Sequence, residues 1–334
     1  MAARHRLKTI ANLLLAWYRQ GHRDLPWRRT GDPYRIWVSE IMLQQTRAQA
    51  VIPYFERFLE RFPNVTALAE AGEEEVLALW SGLGYYSRAR NLHRAAQLIA
   101  EADTFPNEYD AIRKLPGVGD YTAAAIASIA FRLPHAVLDG NVLRVVARVE
   151  NDPADIASPR TRERFRDVAQ QWLDRRRPGA FNQALMELGA TVCLARDPLC
   201  LLCPLSSLCE GHAEGTAAQL PVKLRRVEPK RVDGTLLVIQ RKDRILLRQR
   251  EAGERRMAGF WELPTPDHLP GALVGAAIGT VRHSITHHRY VLAVHRAVAS
   301  PRGKSYRWIS PAELANIPLS TSARKALRLA GVVL

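Results

Sequence analysis

A glycine-rich turn between apolar helices constrains the fold of this chain more than any other feature. Residues 115–119, Leu-Pro-Gly-Val-Gly, lead into residues 121–130, where apolar residues recur at helical spacing. Gly117 and Gly119 allow positive φ angles and leave no side chain in the way of a ligand. The N–H groups that start the next helix then face outward, where an anion such as phosphate binds well. The pattern predicts a mainly helical fold with a phosphate-binding turn.

An aspartate stands at the start of the next helical pattern after this turn. Asp139 directly precedes a second helical pattern over residues 140–148. An N-cap is the ordinary role of an aspartate there, and a catalytic carboxylate is the alternative. Both roles are compatible, because the N–H groups that an N-cap accepts lower its pKa and keep it charged.

The combined pattern resembles a known family. Leu-Pro-Gly-Val-Gly, one polar residue, Tyr-Thr and, about twenty residues later, Val-Leu-Asp resemble the helix-hairpin-helix DNA glycosylase superfamily, and within it the adenine DNA glycosylase (MutY) family. At the position of Tyr121, relatives of the endonuclease III type have a lysine. That lysine forms a Schiff base with the sugar. A phenol cannot form that imine. The resemblance implies a monofunctional glycosylase.

Glu40 is the candidate general acid. It is the one acid in an apolar helix pattern over residues 35–48, and a carboxyl group in apolar surroundings has a raised pKa. A solvated surface acid is the ordinary alternative. The string Ser-Glu-Ile-Met-Leu-Gln-Gln-Thr resembles the catalytic-acid helix of the family, which makes Glu40 the acid and places Gln45 and Thr46 in contact with DNA.

The resemblance also assigns a mechanism. Two carboxyl groups of opposite protonation state are the general solution to glycoside cleavage. Glu40 would protonate the departing adenine at N7, and Asp139 would stay ionised beside the anomeric carbon. Tyr121 and Asn141 would orient water or Asp139.

The resemblance implies that two further segments line the base pocket. Residues 24–29 form a Pro-broken loop, in which Trp27 could simply be a core residue. In the family this loop lines the pocket, so Trp27 and Arg28 become candidates for contacting an everted base. Gln183 stands where some family members have glutamate, and it would hydrogen-bond the adenine edge.

A second Gly-x-Gly turn at residues 81–88 carries Leu83 and Tyr85 near its tip, within a region of three helical patterns over residues 53–102. Both residues could be core anchors. Everting a base leaves a gap in the stack that apolar or aromatic side chains can fill. The family places such a wedge here, so Leu83 and Tyr85 are expected to enter the DNA.

All four cysteines fall within 17 residues, at positions Cys193, Cys200, Cys203 and Cys209. This spacing indicates a metal centre rather than a disulfide framework, and it leaves zinc and iron–sulfur both open. The loop resembles the [4Fe–4S] loop of the endonuclease III and adenine glycosylase families. That resemblance implies a [4Fe–4S] cluster with a structural and DNA-docking role, and Arg196 could meet a phosphate.

The C-terminal third has a different sequence pattern, with strands in place of helices. Residues 1–213 read as the helical domain, residues 214–231 as a linker with two prolines, and residues 232–334 as a separate domain. Strand patterns with a final helix, at 234–240, 245–250, 278–286, 289–299 and 321–330, resemble an α/β Nudix-like domain. Residues 264–280 contain one acid, Asp267, which is too few for a magnesium-binding Nudix box, so we expect a binding role without pyrophosphatase activity.

The resemblance assigns this domain the recognition of 8-oxoguanine opposite the adenine, through a loop that usually reads Phe-Ser-His. Here Ile285, Thr286 and His287 occupy those positions. Thr286 keeps a hydroxyl and His287 is present, but Ile285 lacks the ring. This departure bears on the strength of 8-oxoguanine discrimination and not on base excision. Metal binding by the nearby histidines is disfavoured, since no acid or cysteine lies close in sequence.

Charge supports a nucleic-acid partner. The net charge is +15, and residues 216–334 hold 21 Lys and Arg against 8 Asp and Glu, or +13 of it. Basic proteins attract polyanions through counterion release, although basic proteins without such partners are common. No apolar run approaches a membrane span and no secretory signal precedes the helix at residues 7–20. We therefore expect a cytoplasmic, nucleoid-associated monomer.

The predicted function is excision of adenine mispaired with 8-oxoguanine or guanine in double-stranded DNA. A mismatch thymine or uracil glycosylase is the nearest alternative, since some of those also have tyrosine at the position of Tyr121. A lesion-binding iron–sulfur protein without activity is the other alternative. The helix around Glu40 and the Nudix-like domain argue against the first, and Glu40, Tyr121 and Asp139 together argue against the second.

Overall fold

The computed structural model describes residues 2–224, 228–251, 253–254, 257–285, 287–301 and 303–333, without the side chains of residues 2–4, 315 and 316. Contacts divide the chain into two units, of residues 1–56 with 98–226 and of residues 57–97 with 227–334. The predicted domain borders, 1–213 and 232–334 around a linker, stay a prediction. The contacts group the chain differently, because residues 57–97 pack with the C-terminal part.

Helices make up the N-terminal two thirds of the chain. In order they are α1 (Ala2–Gln20), α2 (Pro33–Leu43), α3 (Ala48–Arg61), α4 (Val65–Ala69), α5 (Glu73–Trp80), α6 (Ser87–Glu101), α7 (Tyr109–Arg113), α8 (Asp120–Ile129), α9 (Gly140–Val149), α10 (Pro159–Trp172), α11 (Pro178–Thr191) and α12 (Glu210–Ala213). Over the described residues, no helix is long and apolar enough to cross a membrane.

The core of the first unit is formed by apolar faces of α1, α8, α9, α10 and α11. Helix α9 illustrates the pattern: Val142, Val145, Val146 and Val149 recur at three- and four-residue spacing and are all buried. A glycine brings α11 close to this helix, since a Cβ on Gly189 would lie 2.6 Å from the Cβ of Asn141. The core thus fixes α9, and with it the turn before it, against α11.

Two predictions about helices were wrong. Helix α2 ends at Leu43 instead of continuing to residue 48, because Gln45 adopts a left-handed φ of 58°. Residues 53–102 contain parts of four helices rather than three. Helices α10 and α11 are separate, and Pro178 starts the second one.

The second unit contains two small sheets and a last helix. The strands are β1 (Lys230–Val238), β2 (Gln240–Arg241), β3 (Arg244–Gln249), β4 (Trp261–Glu262), β5 (Leu273–Ile285), β6 (His288–Val298) and β7 (Tyr306–Ile309), followed by α13 (Thr321–Leu329). One sheet has the order β1-β6-β5, with β1 parallel and β5 antiparallel to β6. In the other, β3 pairs with β2, β4 and β7. The predicted fold class, mainly helical with a C-terminal α/β domain, is confirmed.

Candidate active site

A cavity of about 520 Å³ in the first unit collects most of the predicted catalytic and pocket residues. Those in its wall are Trp27, Arg28, Glu40, Thr46, Tyr121, Asp139, Asn141 and Gln183. They come from α2, α8, α9, α11 and the loops beside them. Segments far apart in sequence therefore place two carboxyl groups in one concave space.

Glu40 is buried in this wall, with 4% of its surface exposed. Burial raises the pKa of its carboxyl group to about 7, although a hydrogen bond from Tyr121 lowers it and the charge of Asp139 raises it further. A carboxyl group with that pKa holds a proton near neutrality and can donate it. The sequence prediction of a buried acid is thus matched by its surroundings.

The hydroxyl of Tyr121 donates to Oε2 of Glu40 at 2.8 Å and also contacts Sδ of Met186 at 3.2 Å. The bond to Glu40 is one that the sequence did not predict, and the predicted role of Tyr121 toward water or Asp139 stays a prediction. Burial raises the pKa of the phenol far above its usual range, helped by the charges of Glu40 and Asp139. The hydroxyl therefore stays a proton donor at physiological pH.

Asp139 is the N-cap of α9. Its Oδ1 accepts from the backbone N–H of Val142 at 2.7 Å, and its Oδ2 accepts from Nδ2 of Asn141 at 2.9 Å. An N-cap position predicts that these bonds lower its pKa. The pKa of Asp139 is raised instead, because burial outweighs the hydrogen bonds. The two donors still favour the ionised form over what burial alone would allow.

An arginine that the sequence analysis missed connects this carboxylate to the cysteine loop. Arg144 donates through Nη2 to Oδ1 of Asn141 at 2.9 Å and to the carbonyl of Gly189 at 2.6 Å. Its Nε donates to the carbonyl of Cys193 at 2.8 Å. The available signal was its spacing, since Arg144 lies three residues after Asn141 on the same face of α9.

Glu187 is a second residue that the sequence analysis missed. It is 1% exposed and accepts from Nε and Nη2 of Arg23 at 2.9 and 2.7 Å and from Nη2 of Arg28 at 2.8 Å. Burial raises its pKa, but the bonds from the two arginines outweigh burial and lower the pKa to about 2. Arg28, predicted to contact a base, is thus held by an ion pair in the cavity wall.

The other pocket residues have mixed roles. Trp27 is buried and packs edge-to-face on Phe55 with ring centroids 5.5 Å apart, so it is both a core residue and part of the cavity wall. Oε1 of Gln183 accepts from the hydroxyl of Tyr18 at 3.2 Å. Gln45 is exposed outside the cavity and Thr46 lies in its wall.

Both glycines of the glycine-rich turn are exposed, but the turn differs from the prediction in one respect. Gly117 has a φ of 78°, whereas Gly119 has an extended φ of −98°, which other residues can adopt. Only Gly117 therefore uses the conformational freedom of glycine. Neither glycine lies in the cavity wall, and the N-terminus of α8 has no side-chain cap.

The four cysteines surround one small cavity. Buried Arg148 donates through Nη1 to Sγ of Cys193 at 3.3 Å, and its carbonyl lies 3.3 Å from Sγ of Cys209. Among the described residues, no group of three or more His, Cys, Asp or Glu side chains forms a site for a single metal ion. Four thiolates are a donor set that fits a four-iron cluster and that zinc also accepts.

The predicted DNA-contacting residues of the second unit lie on two turns. Leu83 is 8% exposed, but Tyr85 beside it is 37% exposed and has a φ of 49°. Tyr85 therefore suits an inserting side chain better than Leu83 does. His287 is exposed at the turn between β5 and β6, whereas Thr286 lies outside the described residues.

Comparisons with known proteins agree with this geometry. Residues 38–171 match the HhH-GPD superfamily of base excision DNA repair proteins, and residues 234–329 match the NUDIX domain. The class defined by fold and site is a base-excision repair protein with an appended Nudix domain.

Among relatives, the mouse adenine DNA glycosylase is 35% identical over 95% of this chain and 76% of its own length. The rat adenine DNA glycosylase is 48% identical over 62% of this chain, which spans 43% of that protein. A thermostable thymine-DNA glycosylase structure has a TM-score of 0.59 and 27% identity, covering 64% of this chain and 100% of that one. The chain belongs to the adenine DNA glycosylase family, and it is an enzyme that hydrolyses N-glycosyl bonds.

Proposed function

We propose that the protein removes adenine mispaired with 8-oxoguanine from double-stranded DNA by hydrolysis, leaving an abasic site. The observation that carries the proposal is that Glu40 and Asp139 line one cavity of about 520 Å³ with Trp27 beside them. Such a space suits a purine nucleoside turned out of the duplex. The similarity to the mouse adenine DNA glycosylase over 95% of the chain supports adenine as the base.

Glu40 and Asp139 have separate roles in the reaction. Protonated Glu40 donates to N7 of adenine, the position implied by the family resemblance, so that the bond electrons leave with a neutral base. Ionised Asp139 stabilises the positive charge that develops on the sugar. Water then adds to the anomeric carbon and loses a proton. Asn141 keeps Asp139 oriented through the 2.9 Å bond to Oδ2.

The enzyme acts as a glycosylase without Schiff-base lyase chemistry. Tyr121 occupies the position at which lyase relatives carry lysine, and a phenol offers no amine to form an imine with the sugar. Its hydroxyl instead contacts Glu40. Incubation with borohydride during turnover should trap no covalent protein–DNA adduct.

The cysteine loop holds a [4Fe–4S] cluster in this proposal, through Cys193, Cys200, Cys203 and Cys209. When bound, the cluster supplies a rigid cross-link of the loop rather than a reactive group. The carbonyl of Cys193 is held by Arg144, so order in the loop supports the position of Asn141. Arg196, exposed in the same loop, would contact a DNA phosphate.

DNA contacts in the proposal come from exposed turns and from residues of the cavity wall. Tyr85 and Leu83 fill the gap left by the everted base. The remaining contacts are assigned to Gln45, Thr46, Gly117, Gly119, Gln183, Thr286 and His287. The last two would read 8-oxoguanine. The enzyme would act as a monomer on the nucleoid, with the basic C-terminal part adding nonspecific attraction.

A mismatch thymine glycosylase is the second candidate, since the thermostable thymine-DNA glycosylase shares the fold at 27% identity. Duplexes that contain A opposite 8-oxoguanine, A opposite G and T opposite G separate the two candidates. We expect single-turnover release of adenine from the first and no release of thymine from the last. Thymine release without adenine release would overturn the proposal.

A further inference from the structure

The turn that carries Tyr85 is built as a strained and well-supported loop. Residues 81–86, here called the wedge turn, join α5 to α6. Gly82, Gly84 and Tyr85 all have positive φ angles, of 113°, 74° and 49°. A positive φ is unfavourable for a tyrosine and persists only where surrounding contacts hold it. The contacts of the wedge turn therefore determine whether Tyr85 is presented to DNA.

Part of the support comes from the neighbouring helices. Nη2 of Arg88 donates to the carbonyls of Leu83 and Gly84 at 3.2 and 3.0 Å. Its guanidinium also lies 5.4 Å from the ring of Trp80 and 5.5 Å from the ring of Tyr85. These contacts fix the inner side of the wedge turn.

The C-terminal domain supports the first residue of the turn. Ser81 is 7% exposed, and its hydroxyl donates to the carbonyl of Leu319 at 2.9 Å. The same oxygen accepts from Nε and Nη2 of Arg324, on α13, at 3.2 and 3.1 Å. At the other end, the ring of Tyr86 packs on buried Phe260 with centroids 4.0 Å apart. Both ends of the wedge turn are thus anchored on the Nudix domain.

The part of the Nudix domain that contacts Ser81 is itself held by hydrogen bonds. The backbone N–H of Trp261, on β4, donates to the carbonyl of Pro318 at 2.8 Å, and its backbone carbonyl accepts from the N–H of Ser320 at 3.0 Å. Ser320 also caps α13 by accepting from the N–H of Ala323. The residues that support the wedge turn are therefore connected by hydrogen bonds to strand β4 and helix α13.

From these contacts we infer that the Nudix domain, through Arg324 and Ser81, positions Tyr85 for insertion into DNA. Arg324 is then a positioning residue for base eversion, in addition to any reading of the opposite base by the same domain. The inference rests on the proposed function, because it assigns this support to the eversion step. It predicts a loss of base eversion and of adenine release that does not depend on the base opposite the adenine.

The test uses the whole chain of 334 residues with Arg324→Ala and Ser81→Ala, and Arg328→Ala as the matched control. Arg328 is an exposed arginine on the same helix, so its removal changes the charge equally. Eversion is measured by the fluorescence of 2-aminopurine replacing adenine, opposite 8-oxoguanine and opposite guanine. Single-turnover adenine release is measured on the matching natural duplexes, and melting curves check folding.

We expect Arg324→Ala and Ser81→Ala to reduce eversion and release on the order of tenfold on both duplexes, as removal of a charged hydrogen bond does. Arg328→Ala should have no effect. Added to Tyr85→Ala, Arg324→Ala should cause no further loss, because both act through one side chain. A loss confined to 8-oxoguanine, full additivity with Tyr85→Ala, or no difference from Arg328→Ala overturns the inference. Absence of adenine release from the unaltered protein overturns only the proposed function, since the fluorescence still reports eversion.

Discussion

The hydroxyl of Tyr121 donates to Oε2 of Glu40 across 2.8 Å, and this bond joins α8 to α2 inside the cavity. A donor to a carboxylate favours its ionised form. Burial and the charge of Asp139 act in the opposite direction, and the balance leaves the pKa of Glu40 at about 7. Tyr121 thus limits how far the acid is shifted and sets the pH range in which it is protonated.

Tyr121→Phe should move the alkaline limb of the pH–rate profile to higher pH. Adenine release needs protonated Glu40, so the rate of the unaltered enzyme should fall as the pH rises through about 7. Without the hydroxyl, a cause that lowers this pKa is lost, and the fall should shift upward on the order of one pH unit. Single-turnover rates between pH 5 and 10 test it. An unshifted limb would separate Tyr121 from the acid.

Glu40→Gln should abolish adenine release while leaving binding to an A:8-oxoguanine duplex nearly intact. The amide retains the volume and polarity of the side chain but has no acidic proton to transfer to the base. Release is measured in single-turnover experiments and binding by fluorescence anisotropy. Glu60→Gln is the control, since Glu60 is an exposed acid on α3. Release at the unaltered rate would remove Glu40 from the mechanism.

The same substitution should stabilise the protein at alkaline pH. The pKa of Glu40 is raised from 4.5 to about 7, so the folded protein binds a proton that the unfolded chain has lost between these values. The contribution of Glu40 to stability is therefore present below pH 4.5 and is lost as the pH rises to about 7, by at most about 3 kcal/mol. Urea midpoints of Glu40→Gln relative to the unaltered protein should rise between pH 4.5 and pH 8. Equal midpoint differences at both pH values would contradict the shift.

The parts of the site that the sequence predicted are those with a local signal. Glu40 is recognisable because it is a lone acid among apolar residues, and Asp139 because it stands directly before a helix. Glu187 carries the same local signal, since it is the one acid of α11 and stands between Met186 and Leu188. Its ion pairs have no signal in the sequence, because its partners Arg23 and Arg28 are 164 and 159 residues away.

Long-range packing also explains why the unit borders differ from the predicted domain borders. Residues 57–97 have ordinary helical patterns that carry no information about which sheet they contact. The contact between Ser81 and Leu319 joins residues 238 positions apart. Periodicity predicts elements and their buried faces, whereas the pairing of those faces depends on the whole chain.

Asp139→Asn should separate the two roles of this residue. Asparagine caps a helix about as well as aspartate, so the bond from Val142 is kept and stability should change by less than about 1 kcal/mol. The negative charge beside the sugar is lost, so most of the adenine release should disappear. Asp139→Ala should lose both activity and about 1 kcal/mol of stability. If Asp139→Asn lowered only the melting temperature, Asp139 would be a cap alone.

Cys203→Ser should remove iron, sulfide and visible absorbance from the purified protein. The hydroxyl of serine is a poor replacement for a thiolate ligand, so the cluster should be lost or become labile. Ser207→Ala, an exposed change within the same loop, should keep all three signals. Metal analysis that finds one zinc per chain and no iron in the unaltered protein would exclude the cluster.

Ile285→Phe should sharpen discrimination in favour of 8-oxoguanine. Ile285 ends β5 opposite His288 and directly precedes the turn that carries His287. Family members usually have phenylalanine at this position, and an aromatic ring can stack on a base, which is worth about 1–3 kcal/mol. We expect the ratio of single-turnover rates, A:8-oxoguanine over A:G, to increase about tenfold or more, with little change for A:G alone. Ile285→Leu is the matched control, because it keeps the apolar volume without a ring. An equal increase for both duplexes would show a general gain in DNA affinity, and it would remove position 285 from the recognition of the oxidised base.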